Sequence, residues 1–424
     1  MKVLIVTYYW PPSGGSGVQR WLKFVKYLQN FGIEPVVYTI ANPNYPITDE
    51  SLIKEIPDNI TILKQPIWEP NNILRKFKRN KTQESAGFLN PNPSIFGKIL
   101  QYIRANYFIP DARRFWINPS AKYLNNFLST NSIDVVITTG PPHSLHLIGL
   151  ELKKNNDIKW ISDFRDPWTE IDYFEQLPLT IKSKKKHREL EIMVLKASDV
   201  VLVIGKTMRE RYKKYSSSIH IITNGFDSKD INKDIQLDKK FTITHIGLMN
   251  SDRNPNIFWR AIKELADENS SFALDYKIQL VGEIANEVKE SIRNYNLKGV
   301  EDVGYVLHDK VSEYQNKSQV LLLAVNNVKS AKGIITGKIF EYLQAKRPIL
   351  AIGPVDGDLA EILNTTKSGK IFDFEDLSNL KAEILRLYNS YKENNLVLNS
   401  ENIEQYHRKE LTLQLSKILK ETIS

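Results

Sequence analysis

The sequence predicts two successive open α/β units, each a parallel sheet wrapped by helices. Three observations lead there. Apolar runs of strand length alternate with amphipathic helical stretches from end to end. The runs are rich in Val and Ile on both faces, as strands buried on both sides require. The pattern also restarts after the turn signal Asn224-Gly225-Phe226-Asp227. In the first unit the runs at 2–7, 35–40, 134–139, 159–163 and 199–204 read as strands, with helical patterns such as 18–31 and 145–155 between them. In the second, strands are expected at 242–246, 277–281, 320–325 and 348–352. The expected domains are 1–228, 229–398 and a last helical segment, 399–424. A chain of 424 residues suits two cores better than one.

Composition narrows the classes. Hydrophobic residues at 42% and charged residues at 25% are a globular balance. The absence of cysteine excludes disulfides and cysteine-based metal sites, and fits a reducing cytoplasm. The opening MKVLIVTYYWPP reads as a buried first strand rather than a signal peptide. No run approaches the ~20 apolar residues of a membrane span. A formal charge of +9 leaves nucleic acid, an anionic membrane face and a phosphorylated substrate open.

The interval 68–118 breaks the strand–helix rhythm and reads as an insertion. From 75 to 114 it holds nine basic residues (Arg75, Lys76, Lys78, Arg79, Lys81, Lys98, Arg104, Arg113, Arg114) against two acidic ones, Glu84 and Asp111. Aromatic and aliphatic residues are interleaved with them, and a second basic run spans 182–188. A solvated helical excursion is one reading. A surface that docks on anionic lipid is the other. Nucleic acid is not an expected partner, since no recognised binding module accompanies the charge.

Five segments carry chemistry, each at the carboxyl end of an expected strand or the start of a helix. Gly14-Gly15-Ser16-Gly17 follows the first strand and precedes a helix, so backbone N–H groups can hold an anion or a sugar hydroxyl. A tight strand-to-helix turn is the plainer account. It is not the dinucleotide fingerprint, because Trp21 and Leu22 stand where a third glycine is needed and no acidic residue ends the second strand. His143, in Thr138-Thr139-Gly140-Pro141-Pro142-His143-Ser144, is expected to project toward a ligand, with a surface or core-filling histidine as the competing reading. In Asp163-Phe164-Arg165-Asp166-Pro167-Trp168 a carboxylate could take an acceptor hydroxyl's proton, with a structural ion pair as the competing reading. The loop from Gly247 to Pro255 offers Arg253, whose fork of donors suits phosphate oxygens, with an ordinary surface arginine as the competing reading.

The fifth segment, Thr336-Gly337-Lys338-Ile339-Phe340-Glu341, says most. Lys338 in a helix's first turn opposes the preference for acidic residues there, which makes sense if a diphosphate sits between cation and helix. Glu341, three residues on, shares its face and can accept two hydrogen bonds from a ribose diol. Asp356-Gly357-Asp358 has Asp-x-Asp metal-site spacing, but a turn with Asp358 as helix cap explains it better.

These segments, in this order, resemble the family 4 (group 1) glycosyltransferases over most of the chain, the basic interval excepted. The resemblance implies the GT-B fold, two Rossmann-like α/β domains facing each other across a cleft, and transfer with retention of configuration. It implies a nucleoside-diphosphate sugar as substrate, no cofactor and no metal. Glu341 falls on the family's ribose-binding position, His143 beside the donor sugar, and Tyr305 or Val306, after Gly304, at the edge of the base. Two departures stand out. The family's first glutamate falls on Gly333, and its arginine after the loop glycine falls on Leu248, so Arg253 would serve with Lys338. The resemblance further implies a glycan or lipid-linked acceptor, a role in surface polysaccharide or lipopolysaccharide assembly, and a cytoplasmic place, peripheral on the inner membrane face. A nucleotide-sugar epimerase and a non-catalytic sugar-nucleotide-binding partner remain the alternatives.

Overall fold

The computed structural model describes residues 1–45, 47–69, 94–172, 174–227 and 236–424. The chain forms two compact units: unit 1 is Met1–Asn224 with Arg408–Ser424, and unit 2 is Gly225–His407. The first crossing falls four residues before the expected 228/229, because Phe226 is already committed to unit 2. Its ring is buried in that unit's core and its N–H donates to the Tyr406 carbonyl.

Unit 1 runs β1 (Lys2–Val6), α1 (Ser16–Leu28), β2 (Glu34–Ile40), β3 (Thr61–Gln65), α2 (Ile95–Tyr107), α3 (Ile117–Thr130), β4 (Val135–Gly140), α4 (Ser144–Asn155), β5 (Lys159–Phe164), α5 (Ile181–Ala197), β6 (Val200–Val203), α6 (Lys206–Tyr212) and β7 (Ile219–Ile221). The sheet order is β3-β2-β1-β4-β5-β6-β7, with parallel pairing throughout. Its strands are apolar on both faces because both are covered. Leu4 and Val6 enter one core and Val3 and Ile5 the other. α1 buries Val18, Trp21, Leu22, Val25 and Leu28, a helical stripe, in the second of these.

Unit 2 runs β8 (Phe241–Ile246), α7 (Asn256–Glu268), α8 (Ser270–Asp275), β9 (Tyr276–Val281), α9 (Asn286–Asn294), β10 (Val300–Gly304), α10 (His308–Lys317), β11 (Val320–Ala324), α11 (Lys338–Ala345), β12 (Ile349–Ile352), α12 (Asp358–Thr366), β13 (Gly369–Phe372) and α13 (Leu377–Lys392). Its order is β10-β9-β8-β11-β12-β13, again parallel. The last helix, α14 (Arg408–Ile423), lies in unit 1, where Leu411, Leu415 and Leu419 pack into the core that α1 also feeds.

In each sheet the strand order reverses beside the first strand, between β1 and β4 and between β8 and β11. Such switch points, at the carboxyl ends of the strands, are where open α/β sheets bind ligands. Among the described residues no helix is long and apolar enough to cross a membrane. Of the basic interval, Arg75, Lys76, Lys78, Arg79 and Lys81 lie outside the described residues.

Candidate active site

In unit 2 the switch point gathers positive charge. Gly247 follows β8 with φ +90°, a conformation that favours glycine, and a Cβ there would stand 2.8 Å from Lys338 Cε. Lys338 opens α11, and its Nζ donates to the Leu248 carbonyl at 3.1 Å while lying 3.1 Å from His245 Nε2. His245 is buried on β8, and its Nδ1 lies 3.1 Å from the Leu322 carbonyl. A carbonyl only accepts, so Nδ1 carries the ring proton and Nε2 presents a lone pair to Lys338.

Arg253 comes from a short turn whose N-cap, Asn250, accepts from the Arg253 N–H through its side chain. Its Nε donates to Asn326 Oδ1 at 2.9 Å and its Nη1 to the Leu248 carbonyl at 3.0 Å. One backbone oxygen thus collects both cations. Burial holds the Lys338 ammonium well below its usual range and the Arg253 charge adds to this, with Glu341 opposing. Burial, then Lys338 and Arg253, likewise holds His245 neutral.

α11 is fixed to the sheet by Tyr342, whose hydroxyl accepts from the Ile246 N–H at 3.0 Å and donates to the Leu322 carbonyl at 3.3 Å. One turn into α11, Glu341 Oε2 accepts from Gln315 Nε2 at 3.0 Å. Gly337 caps the helix, with open space where a Cβ would stand. Thr336 is buried and its Oγ1 has no partner among the described residues. Tyr305 and Val306 follow edge strand β10, separated from β8 by β9; Tyr305 is 82% exposed, and Val306 rests on the core beneath. Asp358 is the first residue of α12 and Gly357 its cap, so the expectation of an Asp358 cap is corrected; Asp356 instead pairs with Lys332.

In unit 1 the glycine loop closes on its neighbours. Gly14 donates to the Ile47 carbonyl at 2.9 Å, and Gly15 takes φ +83° as the cap of α1. Gly17 offers its carbonyl to Arg165, which also donates to the carbonyls of Pro141 and Gly140. Arg165 therefore ties the loop after β1 to the loop after β4. Asp163 does not face a ligand, which corrects that expectation. It is fully buried and accepts from Arg20 Nη2 at 2.8 Å, Arg20 Nε at 3.1 Å, Trp21 Nε1 at 2.7 Å and Thr139 Oγ1 at 2.9 Å. Burial alone would raise its carboxyl, but Arg20, by charge and hydrogen bond, holds it below the usual range.

Asp166, three residues on, is half-buried, and its carboxyl is raised. Burial is the main cause, Arg165 opposes it, and Asp172 and Asp163 add to it. His143 precedes α4 and stacks on Trp168, rings 4.9 Å apart and 4° from parallel. The Trp168 indole donates to His187 Nδ1 at 3.1 Å. Burial, then His146 and Arg165, holds His143 well below its usual range, so the ring is neutral at neutral pH. Its Nδ1 is buried without a partner among the described residues.

The structure thus brings Gly247, Arg253, Lys338 and Glu341 together in unit 2. In unit 1 it gathers the glycine loop, His143 and Asp166 around Arg165. Sequence reasoning missed His245, Asn326 and Gln315 on the one side and Arg165 and Trp168 on the other. His245 hides inside an apolar strand run and carries no signal there, whereas Arg165 and Trp168 stood within a segment already singled out.

Two parallel sheets with this strand order define the GT-B class of fold. Residues 240–390, most of unit 2, match the model of the family described as Glycosyl transferases group 1. By sequence, no curated protein matches the chain. Among solved structures the chain is similar to the lipopolysaccharide outer core galactosyltransferase WaaB in its apo form, at 11% identity and TM-score 0.61 over 99% of this chain and 100% of that one. It is similar to HepE of Anabaena in complex with UDP-glucose, at 11% identity and TM-score 0.60 with the same coverage. It is also similar to WaaG, a glycosyltransferase involved in lipopolysaccharide biosynthesis, at 12% identity and TM-score 0.54 over 98% and 99%. At these identities the likeness is one of fold.

Proposed function

We propose that the chain is a retaining glycosyltransferase that moves a sugar from a nucleoside-diphosphate donor to an acceptor hydroxyl without a metal ion or cofactor. The observation that carries this is the convergence of Lys338 and Arg253 on one carbonyl at the switch point of a group 1 glycosyltransferase domain. Cleaving the sugar–phosphate bond builds negative charge on the diphosphate. Two fixed cations at the start of α11 meet that charge without reorganising, the role a metal plays elsewhere. Arg253 is held at Leu248, the residue on which the family's arginine falls, its Nη1 donating to the Leu248 carbonyl. That favours an active enzyme over a non-catalytic partner.

In this reading Glu341 binds the ribose, Gly247 and Gly337 let the diphosphate approach the backbone, and Thr336 donates to it. Tyr305 and Val306 edge the base. The glycine loop, neutral His143 and Asp166 serve the sugar and acceptor. Asp163 positions Arg20 and α1 rather than touching substrate. The acceptor attacks on the face the diphosphate leaves, and a phosphate oxygen takes its proton. The proposed setting is cell-surface polysaccharide or lipopolysaccharide assembly on a lipid-linked acceptor, at the inner face of the cytoplasmic membrane.

Lys338→Ala tests the assignment. Turnover, measured as nucleoside diphosphate released, is expected to fall at least ~100-fold, the scale of removing one oxyanion-type contact. Near-normal turnover would overturn it. Donor consumed with no free nucleotide released would indicate an epimerase instead.

A further inference from the structure

α2 is amphipathic with its apolar face turned outward. None of its residues is buried, and Ile95, Phe96, Ile99, Tyr102, Ile103 and Tyr107 are all large and exposed, Ile95 to 81%. At about 100° per residue these six fall within an arc of roughly 140°, with Lys98 on one flank and Arg104 on the other. The apolar surface continues past the helix. Phe108 meets Phe115 at 5.9 Å, and Phe115 meets exposed Trp68 at 4.9 Å.

The end of α2 is pinned to the start of α5. Asn106 Nδ2 donates to the Pro178 carbonyl at 2.8 Å, and its Oδ1 accepts from the Thr180 N–H at 2.8 Å, one residue before α5 begins. There Ile181 is 90% exposed, followed within two turns by exposed Lys182, Lys186 and Arg188. None of these three, nor Lys98 or Arg104, pairs with a carboxylate among the described residues. Asn106 therefore joins an apolar stripe to a cationic turn, neither of which has a partner among the described residues.

We propose that the outward face of α2, together with the first two turns of α5, is a docking surface for an anionic lipid bilayer. Apolar side chains enter the headgroup boundary while the cations meet lipid phosphate. Charge complementarity selects this occupant. A second copy would set the same five cations against themselves, and a purely apolar partner would leave them unanswered. Trp68 and Tyr107 suit the interface, where rings with one polar end settle. The inference makes specific the membrane setting of the proposed function, but rests on neither Lys338 nor the donor site.

Flotation of the intact chain with two vesicle sets decides it: pure phosphatidylcholine, and phosphatidylcholine carrying about a third phosphatidylglycerol. Binding is expected to the anionic set only, and to weaken with salt. Lys182→Glu with Lys186→Glu should lower it more than tenfold, at about fivefold per neutralised charge and more on reversal. Phe96→Ser with Ile99→Ser should lower it at least tenfold with charge unchanged. Both pairs are exposed, so folding is expected to persist, and unaltered donor-nucleotide binding by calorimetry confirms it. Equal binding to both vesicle sets, or no effect of either pair, overturns the proposal. So does a wild-type dimer that Phe96→Ser with Ile99→Ser converts to monomer without any flotation. Loss of transfer in Lys338→Ala with flotation intact would separate this surface from the donor site.

Discussion

The Leu248 carbonyl accepts from both Lys338 and Arg253, while His245 turns its only free lone pair to the same ammonium. Two cations in so small a space repel each other until an anion arrives, so part of the donor's binding free energy is relief of that repulsion. His245 therefore acts as a positioning residue for Lys338. His245→Leu is expected to weaken donor binding about tenfold, the cost of a lost hydrogen bond to a charged group. His245→Gln, with an amide oxygen able to accept, should recover part of the loss. Calorimetric titration with nucleoside diphosphate reads both, and unchanged affinity in the leucine variant would remove His245 from the site. Gly247→Ala is more severe, since it meets Lys338 Cε and places a side chain at φ +90°. That backbone conformation alone costs about 1–2 kcal/mol, and displaced Lys338 should lower affinity further. Lys338, Arg253 and Gly247 were legible because each breaks a local rule: a cation at a helix's positive end, an arginine and a glycine on a strand-end loop. Asp163 was half legible. Its flanking by Arg165 suggested an ion pair, but the partner that holds it, Arg20, stands 143 residues away, and nothing in the sequence spacing links the two.

At the scale of elements the sequence revealed the interiors of both sheets and none of their margins. β3, β7, β10 and β13 escaped notice, and they are the four edge strands. An edge strand has one paired side and partial cover, so it need not be apolar throughout. β10 reads VEDVG and β3 reads TILKQ, neither with a buried residue. β1, by contrast, is a central strand with four of its five residues buried, and its apolar run shows plainly. α14 follows the same logic in reverse. Its leucines recur at helical spacing, and Leu415 is completely buried in the core that holds Trp21 and Val25. Leu415→Ala should thus cost about 2–5 kcal/mol. The loss belongs to unit 1 although the residue follows unit 2 in sequence. Amide exchange should show it: β1 and β4 lose protection while β8 and β11 keep theirs. The opposite pattern would contradict the division of the chain.

Across the whole molecule, buried neutral histidines are unevenly shared, and stability should follow them. Unit 1 holds His143, His146 and His187, all depressed chiefly by burial, His146 to about 3 and His187 to about 4. Unit 2 holds His245, also depressed by burial first. A histidine whose folded value lies below its unfolded value of about 6.5 binds a proton more readily when unfolded. Its contribution is therefore fully present above about pH 6.5 and is lost as pH falls toward the folded value. Asp163 adds to the loss only lower down, since its depressed carboxyl stabilises above the ordinary unfolded value of about 3.9. Asp166, raised, works in the opposite sense just above that value and offsets one group in part. With three depressed histidines against one, unit 1 should lose stability faster than unit 2 as pH falls from about 6.5 to 4.5. Exchange protection in β4 and β5, compared with that in β8 and β11 across this range, measures the difference. His146→Phe, which keeps a flat ring against Phe164 but cannot take a proton, should flatten the unit 1 dependence by up to one proton. Equal slopes in the two units, or an unchanged slope in that variant, would mean that the buried histidines do not set the acid limit of the fold.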